Sequence, residues 1–324
     1  MAEHRPRATA PRAAGPSGAS ESPGEDNPAG SSDSVTDPTA ALLDLLDLSP
    51  AEGAQTDEEI FVGTSARQPS RRVFGGQVLA QSLVAAMRTV EPTRDVHSMH
   101  GYFLRAGDAD KPITFGVQRL RDGRSFSARR THAYQNGVPI LSMIASFQEP
   151  DDGVVHQDPM PAGVPDPEDL PTTADLLGGF DHPVARAWAY ERPFDIRHID
   201  APLYLTNEGS KEPRNAVWMR SLGPMPDDPD LHRAALAYAS DYTLLESILR
   251  PHGLSWIQPG MSVASLDHAM WWHRPVRVDD WLLYVQSSPS ASGARGLAAG
   301  RIYNRGGELV ASVAQEGMVR IPRD

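Results

Sequence analysis

Two tandem α+β units, each a helix followed by antiparallel strands, are the fold class predicted by this chain of 324 residues. Three observations carry that expectation. Apolar side chains recur at helical spacing in two separate segments, runs of alternating apolar and polar residues follow each segment, and the two blocks superimpose at an offset of about 170 residues.

Residues 1–38 are rich in Ala, Pro, Gly, Ser and acids and carry almost no large apolar side chains, so they cannot offset ordering entropy and are expected as a disordered tail. ALLDLLDLSP at 41–50 predicts a short amphipathic turn or helix that opens the first unit, 39–149. The helix of that unit is GGQVLAQSLVAAMRTV at 75–90, and strands are expected near 97–105, 113–120, 124–134 and 138–148. A Pro/Asp-rich stretch beginning EPDDGVVHQDPM predicts a linker over 150–189. The second unit, 190–324, repeats the order with a helix over 231–249 and strands near 261–273, 281–288, 295–304 and 308–319. Sliding one unit on the other lays Tyr102-Phe-Leu-Arg105 on Trp271-Trp-His-Arg274 and Asn136-Gly137 on Gly306-Gly307, which favours a tandem duplication.

Composition narrows the function classes. A net charge of −12 argues against a non-specific nucleic-acid binder, because a phosphate backbone selects basic surfaces. With no cysteine there is no disulfide, thiol nucleophile or cysteine-ligated metal. Lysine occurs only as Lys111 and Lys211, so nearly all positive charge is arginine, whose guanidinium fork suits phosphate recognition. No apolar run approaches a membrane span, no secretory core follows Met1, and the terminal Ile-Pro-Arg-Asp is not a peroxisomal tripeptide; a soluble cytoplasmic protein is expected.

Two polar residues stand out against their surroundings. Asp241 is the sole charged side chain between Ala234 and Leu245, with Ala237, Tyr238, Leu244 and Leu245 one turn away. A carboxylate there needs a partner or a function; a structural Asp bonded to backbone satisfies the same observation. In ELVASVAQEGMV at 308–319, Gln315 falls on the strand face that carries Leu309, Ala311, Val313 and Val319, so its amide must find partners inside. Under the repeat alignment Gln315 falls on Ala145 and Asp241 near Gly76, so only the second unit carries this pair. A group needed for folding belongs in both copies; presence in one favours function.

VFGGQVLAQSL (73–83), HSMHGYFLRAGD (97–108), SDYTLLESILRPHG (240–253), SLDHAMWWHRPVRVDDWLLY (265–284) and ASVAQEGMVR (311–320) resemble the type II acyl-CoA thioesterases from about residue 40 to the end. The resemblance implies a double hotdog, in which two tandem units each wrap a long central helix in an antiparallel sheet. It implies hydrolysis of fatty acyl-CoA to free acid and coenzyme A without metal, cofactor or covalent intermediate, in a homo-oligomer of two or more copies. By motif match it assigns an Asp, a hydroxyl and a Gln that hold a water to Asp241, Ser265 and Gln315, with Ser265 where many relatives have Thr. Gly75 and Gly76, which open the first helix without Cβ atoms, are candidates for substrate or oxyanion contact.

Other motifs point elsewhere less well. Gly75-Gly76-Gln77 also occurs in translation release factors, but the apolar helix behind it does not suit that setting. Asp267, His268 and His273 invite a metal reading, yet the spacing of the histidines sets them on opposite faces of a strand and favours structural roles. No GxSxG elbow is present. A hydratase or dehydratase on a hotdog core calls for a His paired with an acid, or an Asp-x-x-x-His run, and Asp241 has no His four residues on. A non-catalytic acyl-binding protein needs no buried acid.

Overall fold

The computed structural model describes residues 37–50, 57–205 and 209–321. The expected tail lies almost wholly outside the described residues. All the described residues fall in one compact unit, 36–324. Helix α1 (Pro38–Leu46) starts where Asp37 accepts the Thr39 N–H and a proline occupies the first turn, and it buries Leu42, Leu45 and Leu46. A two-residue strand β1 (Ser49–Pro50) pairs with β2 (Glu59–Gly63).

Helix α2 (Gly75–Met87) is buried from Gly76 to Ala86. Strands β3 (Asp95–Phe103), β4 (Ile113–Asp122), β5 (Phe126–Gln135) and β6 (Val138–Gln148) follow; β5 and most of β6 alternate buried with more exposed residues, whereas β4 is mostly buried in its first half and exposed in its second. Asn136 and Gly137 both take positive φ, 51° and 75°, which is the turn that joins β5 to β6 without splaying them.

The connecting segment 150–189 holds helices α3 (Thr173–Leu177), closed by a Thr172–Asp175 capping box, and α4 (Pro183–Arg186). It also lies against the second half: Met160, Val164 and Leu170 pack on Trp218, Trp281, Leu283, Tyr303 and Leu309, and Arg305 pairs with Glu168 at 2.8 Å.

The second half runs β7 (Phe194–His198), β8 (Arg214–Ser221), α5 (Pro229–Ser240), α6 (Glu246–Leu249), β9 (Ser262–Ser265), β10 (Asp267–Trp272), β11 (Leu282–Ser292), β12 (Arg295–Asn304) and β13 (Leu309–Arg320). The single helix expected over 231–249 is in fact two. The chain leaves α5 at Ser240, turns through 241–245 and re-enters helix at Glu246.

All strands join one antiparallel sheet in the order β1-β2-β4-β5-β6-β3-β10-β13-β12-β11-β8-β7, with β9 paired to β13. Reading outward from the β3–β10 junction, the order 3-6-5-4-2 in one half answers 10-13-12-11-8 in the other. At that junction Met99 lies opposite Met270 and Tyr102 opposite Asp267. Helices α2 and α5 pack on each other, and one buried cluster runs through both halves from Leu42 to Val313. No helix among the described residues is long and apolar enough to cross a membrane.

Candidate active site

The turn that interrupts the second helix is where the lone acid sits. Asp241 is the C-cap of α5; the ring of its neighbour Tyr242 stacks on Phe74, and Tyr238 meets both rings edge-on. β9 and β13 pair so that Ser265 lies opposite Gly317, two residues from Gln315, which brings both polar side chains to the same carboxylate. Asp241 Oδ1 accepts the Ser265 hydroxyl at 3.2 Å and the Gln315 amide at 2.9 Å. The Gln315 amide also donates to Ser265 Oγ, closing a triangle.

The remaining carboxylate face meets the start of α2. The Gly76 backbone N–H donates to the carboxylate. A Cβ on Gly75 would stand 2.7 Å from Asp241 Oδ2, so the missing side chain gives the acid its room. A Cβ on Gly76 would come within 2.3 Å of the Tyr238 carbonyl oxygen, so that glycine is required by close backbone approach. Of the two candidate glycines, Gly76 thus uses its N–H on Asp241, and Gly75 lines the adjoining cleft.

Burial pushes the Asp241 carboxyl up to about 6, with the Gln315, Ser265 and Gly76 hydrogen bonds opposing. The acid is therefore largely ionised at neutral pH yet basic enough to take a proton.

Behind the triangle lies a residue that spacing alone assigned to a structural role. His268, on β10, is fully buried; its Nδ1 is 2.7 Å from Gln315 Oε1 and its Nε2 is 2.9 Å from Ser240 Oγ. Burial lowers its pKa to about 4, so the ring is neutral with one N–H. Gln315 Oε1 can only accept, so Nδ1 carries the proton, and the single Ser240 hydroxyl proton is shared between His268 Nε2 and the Ala237 carbonyl, both 2.9 Å away. The His268 N–H thus holds Gln315 Oε1 and turns the amide N–H groups toward Asp241 and Ser265. The signal that finds His268 in sequence is its repeat partner: the alignment that lays Tyr102 on Trp271 lays His268 on Met99, an apolar residue. The two other residues of the metal reading lie apart from it. Asp267 accepts the Glu316 backbone N–H at 2.7 Å, and His273 meets Ser312 on the outer side.

Asp241, Ser265 and Gly75 open on a cleft of about 650 Å³ between the halves. Its walls are largely apolar and include Leu42, Leu45, Phe74, Tyr242 and Trp256. Gln315 is wholly buried and stands behind Asp241 and Ser265, outside the cleft lining. Such a site suits attack by a carboxylate-held water on an electrophile at the end of a long apolar group.

Family models match two separate stretches of the chain. A family model described as acyl-CoA thioesterase N-terminal domain matches residues 64–148, and one described as acyl-CoA thioesterase matches 191–318. The chain is 40% identical to acyl-CoA thioesterase 2 of Haemophilus influenzae over 286 residues, covering 86% of this chain and 96% of that protein. Among solved structures, an acyl-CoA thioesterase II from Mycobacterium marinum is 45% identical with a TM-score of 0.68, covering 87% of this chain and 98% of that one. A protein from Alicyclobacillus acidocaldarius described as having a hot dog fold superimposes with a TM-score of 0.70 at 20% identity, over 87% of this chain and 99% of that one, a likeness of fold alone.

Proposed function

This chain belongs to the acyl-CoA thioesterase family, and on that premise we propose that it hydrolyses fatty acyl-CoA to free fatty acid and coenzyme A with a water activated by Asp241, Ser265 and Gln315. The observation that carries the proposal is the half-buried carboxylate, fixed by an amide and a hydroxyl, at the wall of a cleft with many apolar residues.

Asp241 Oδ1 already accepts two hydrogen bonds, which leaves Oδ2, on the Gly75 side, as the base. A water there gives a proton to Oδ2 as its oxygen bonds to the thioester carbonyl carbon. The carbonyl oxygen becomes an oxyanion, which the Gly75 N–H, at the positive end of α2, is suited to receive. The tetrahedral species collapses, the C–S bond breaks, and the departing thiolate takes the proton back from Asp241. Water addition thus yields acid and thiol and regenerates the carboxylate. Ser265 and Gln315 hold Asp241 in one orientation before substrate arrives, so little reorganisation is needed in the chemical step. Gln315, behind both, acts through them. The same reading carries a cytoplasmic location and assembly into a dimer or larger, and a division into units 39–149 and 190–324 joined by 150–189.

The test is release of coenzyme A from a panel of acyl-CoA chain lengths, by wild type and by Asp241→Asn at equal folded concentration. Turnover of at least one chain length that collapses in the variant is expected. No turnover across the panel sinks the hydrolase reading, and an active variant removes Asp241 as base.

A further inference from the structure

The cleft has a second chemistry besides its apolar walls. In a chain of net charge −12, its lining includes four guanidinium groups, Arg67, Arg72, Arg105 and Arg192, against one carboxylate other than Asp241, that of Glu191. The distribution is the reverse of the composition and concentrates positive potential at one opening.

Three of these arginines come from two segments that are stitched together. The Val73 N–H donates to the Gly107 carbonyl at 3.0 Å, and Arg72 bridges Asp108 through the backbone. This sets the loop before α2 beside the loop after β3, so that Arg67, Arg72 and Arg105 belong to one rim. All three are exposed. Neighbouring charges are already engaged with each other: Arg71 pairs with Asp110 at 2.6 Å and Lys111 with Asp108 at 3.4 Å. By contrast Arg67, Arg72 and Arg105 have no carboxylate partner among the described residues; Arg105 donates only to the Pro139 carbonyl. Arg192 stands deeper, its guanidinium 5.0 Å from the Trp188 ring centroid and 4.7 Å from that of Tyr242, the residue next to Asp241.

We propose that Arg67, Arg72 and Arg105 form a phosphate-binding rim that takes the nucleotide end of coenzyme A, leaving its pantetheine arm to run past Arg192 to the carboxylate. The inference rests on the acyl-CoA reading and specifies which part of the substrate this chain grips. Coenzyme A carries a pyrophosphate and a phosphomonoester at one end and an apolar acyl group at the other, and the cleft offers guanidinium forks at its mouth and aromatic and aliphatic walls within. Unpaired arginines at the rim meet phosphates without first breaking a salt bridge. The rim also attracts a polyanion at long range, so association should be salt-sensitive.

The experiment compares an acyl-CoA with the same acyl group on pantetheine, which lacks every phosphate, using wild type and an Arg67→Gln/Arg72→Gln/Arg105→Gln triple variant. The variant is expected to lose about tenfold or more in kcat/KM for the acyl-CoA, mostly in KM, while kcat/KM for the acyl-pantetheine shifts by less than about twofold. The decline of wild-type kcat/KM with rising salt should flatten in the variant. An equal loss on both thioesters, or no loss on either, overturns the proposal. Thermal melts check that the triple variant is folded, and if it is not, the three single variants are read the same way. A wild type that cleaves neither thioester sinks the hydrolase reading but not this one, which calorimetric titration with free coenzyme A then decides: affinity falling about tenfold in the variant supports the rim, and unchanged affinity overturns it.

Discussion

The two halves are built alike and differ where it matters for chemistry. In the first half the positions that answer His268 and Gln315 hold Met99 and Ala145, and all four side chains are fully buried. Near the counterpart of Asp241 the first half has two glycines that begin an unbroken helix, whereas the second half has an acid at a turn. At these positions the first half keeps apolar side chains that ask for nothing beyond packing. The second half buries an amide and an imidazole beside a half-buried acid, and each finds a partner. The first half thus presents Gly75 and Gly76, while the second carries the acid, the amide and the imidazole.

The largest effect expected from erasing the difference is at Asp241. Asp241→Asn should lower kcat by about 10²–10⁴-fold, the range of a general base, with the protein still folded. It should also stabilise the protein at high pH. Because burial raises the folded-state pKa from 3.8 to about 6, ionisation disfavours the folded form: no penalty exists below about 4, and it is complete above about 6. At 1.36 kcal/mol per unit that is up to about 3 kcal/mol, read as a gain in denaturant midpoint at pH 8 that vanishes near pH 4. In the wild type, kcat should fall as pH drops through about 6, as the base is protonated. A flat acid limb from pH 7 to 5 would break the assignment.

The paired glycines sharpen the comparison from the other side. Gly75→Ala places a methyl 2.7 Å from Oδ2 and should cost about tenfold or more in kcat with a near-normal melting temperature. Gly76→Ala meets a backbone carbonyl that cannot move aside and should cost stability, roughly 1–3 kcal/mol by denaturation. The opposite pattern would mean that the roles are exchanged.

Giving the second half the residues of the first, His268→Met and Gln315→Ala, should remove most turnover stepwise. The Gln315 bond lowers the Asp241 pKa, so losing it, or the His268 contact that aims it, should move the acid limb of the kcat profile upward. A loss of rate with an unmoved limb would leave His268 with only a packing role. The smallest change is expected for Ser265→Thr, which keeps the hydroxyl and should turn over close to wild type, while Ser265→Ala loses rate in single-turnover measurements.

Strand positions were legible because alternation survives in a sheet with one face inward; β4, β6, β12 and β13 lie within a residue or two of their expected bounds. The break at Asp241 was not, because Leu244, Leu245, Ile248 and Leu249 stay buried through the turn and the apolar spacing runs on unbroken. The grip of the connecting segment was also hidden. Its anchors, Met160, Val164 and Leu170, are few and irregularly spaced, so composition shows only Pro and acids. The Asp241–Gln315 contact was suggested by two misfit polar residues. His268 was singled out only as a metal candidate and given a structural role, since one histidine on a strand is an ordinary core residue until its neighbours are known.

The junction of β3 with β10 lies within one chain, so the wall shared by Gly75 and Asp241 forms by a first-order process. A cleft shared by two separate subunits would come apart on dilution, and its specific activity would fall with protein concentration. Here the partner is tethered at an effective concentration that no dilution changes. The two halves therefore stay in fixed proportion, and the wall between Gly75 and Asp241 persists however scarce the protein is.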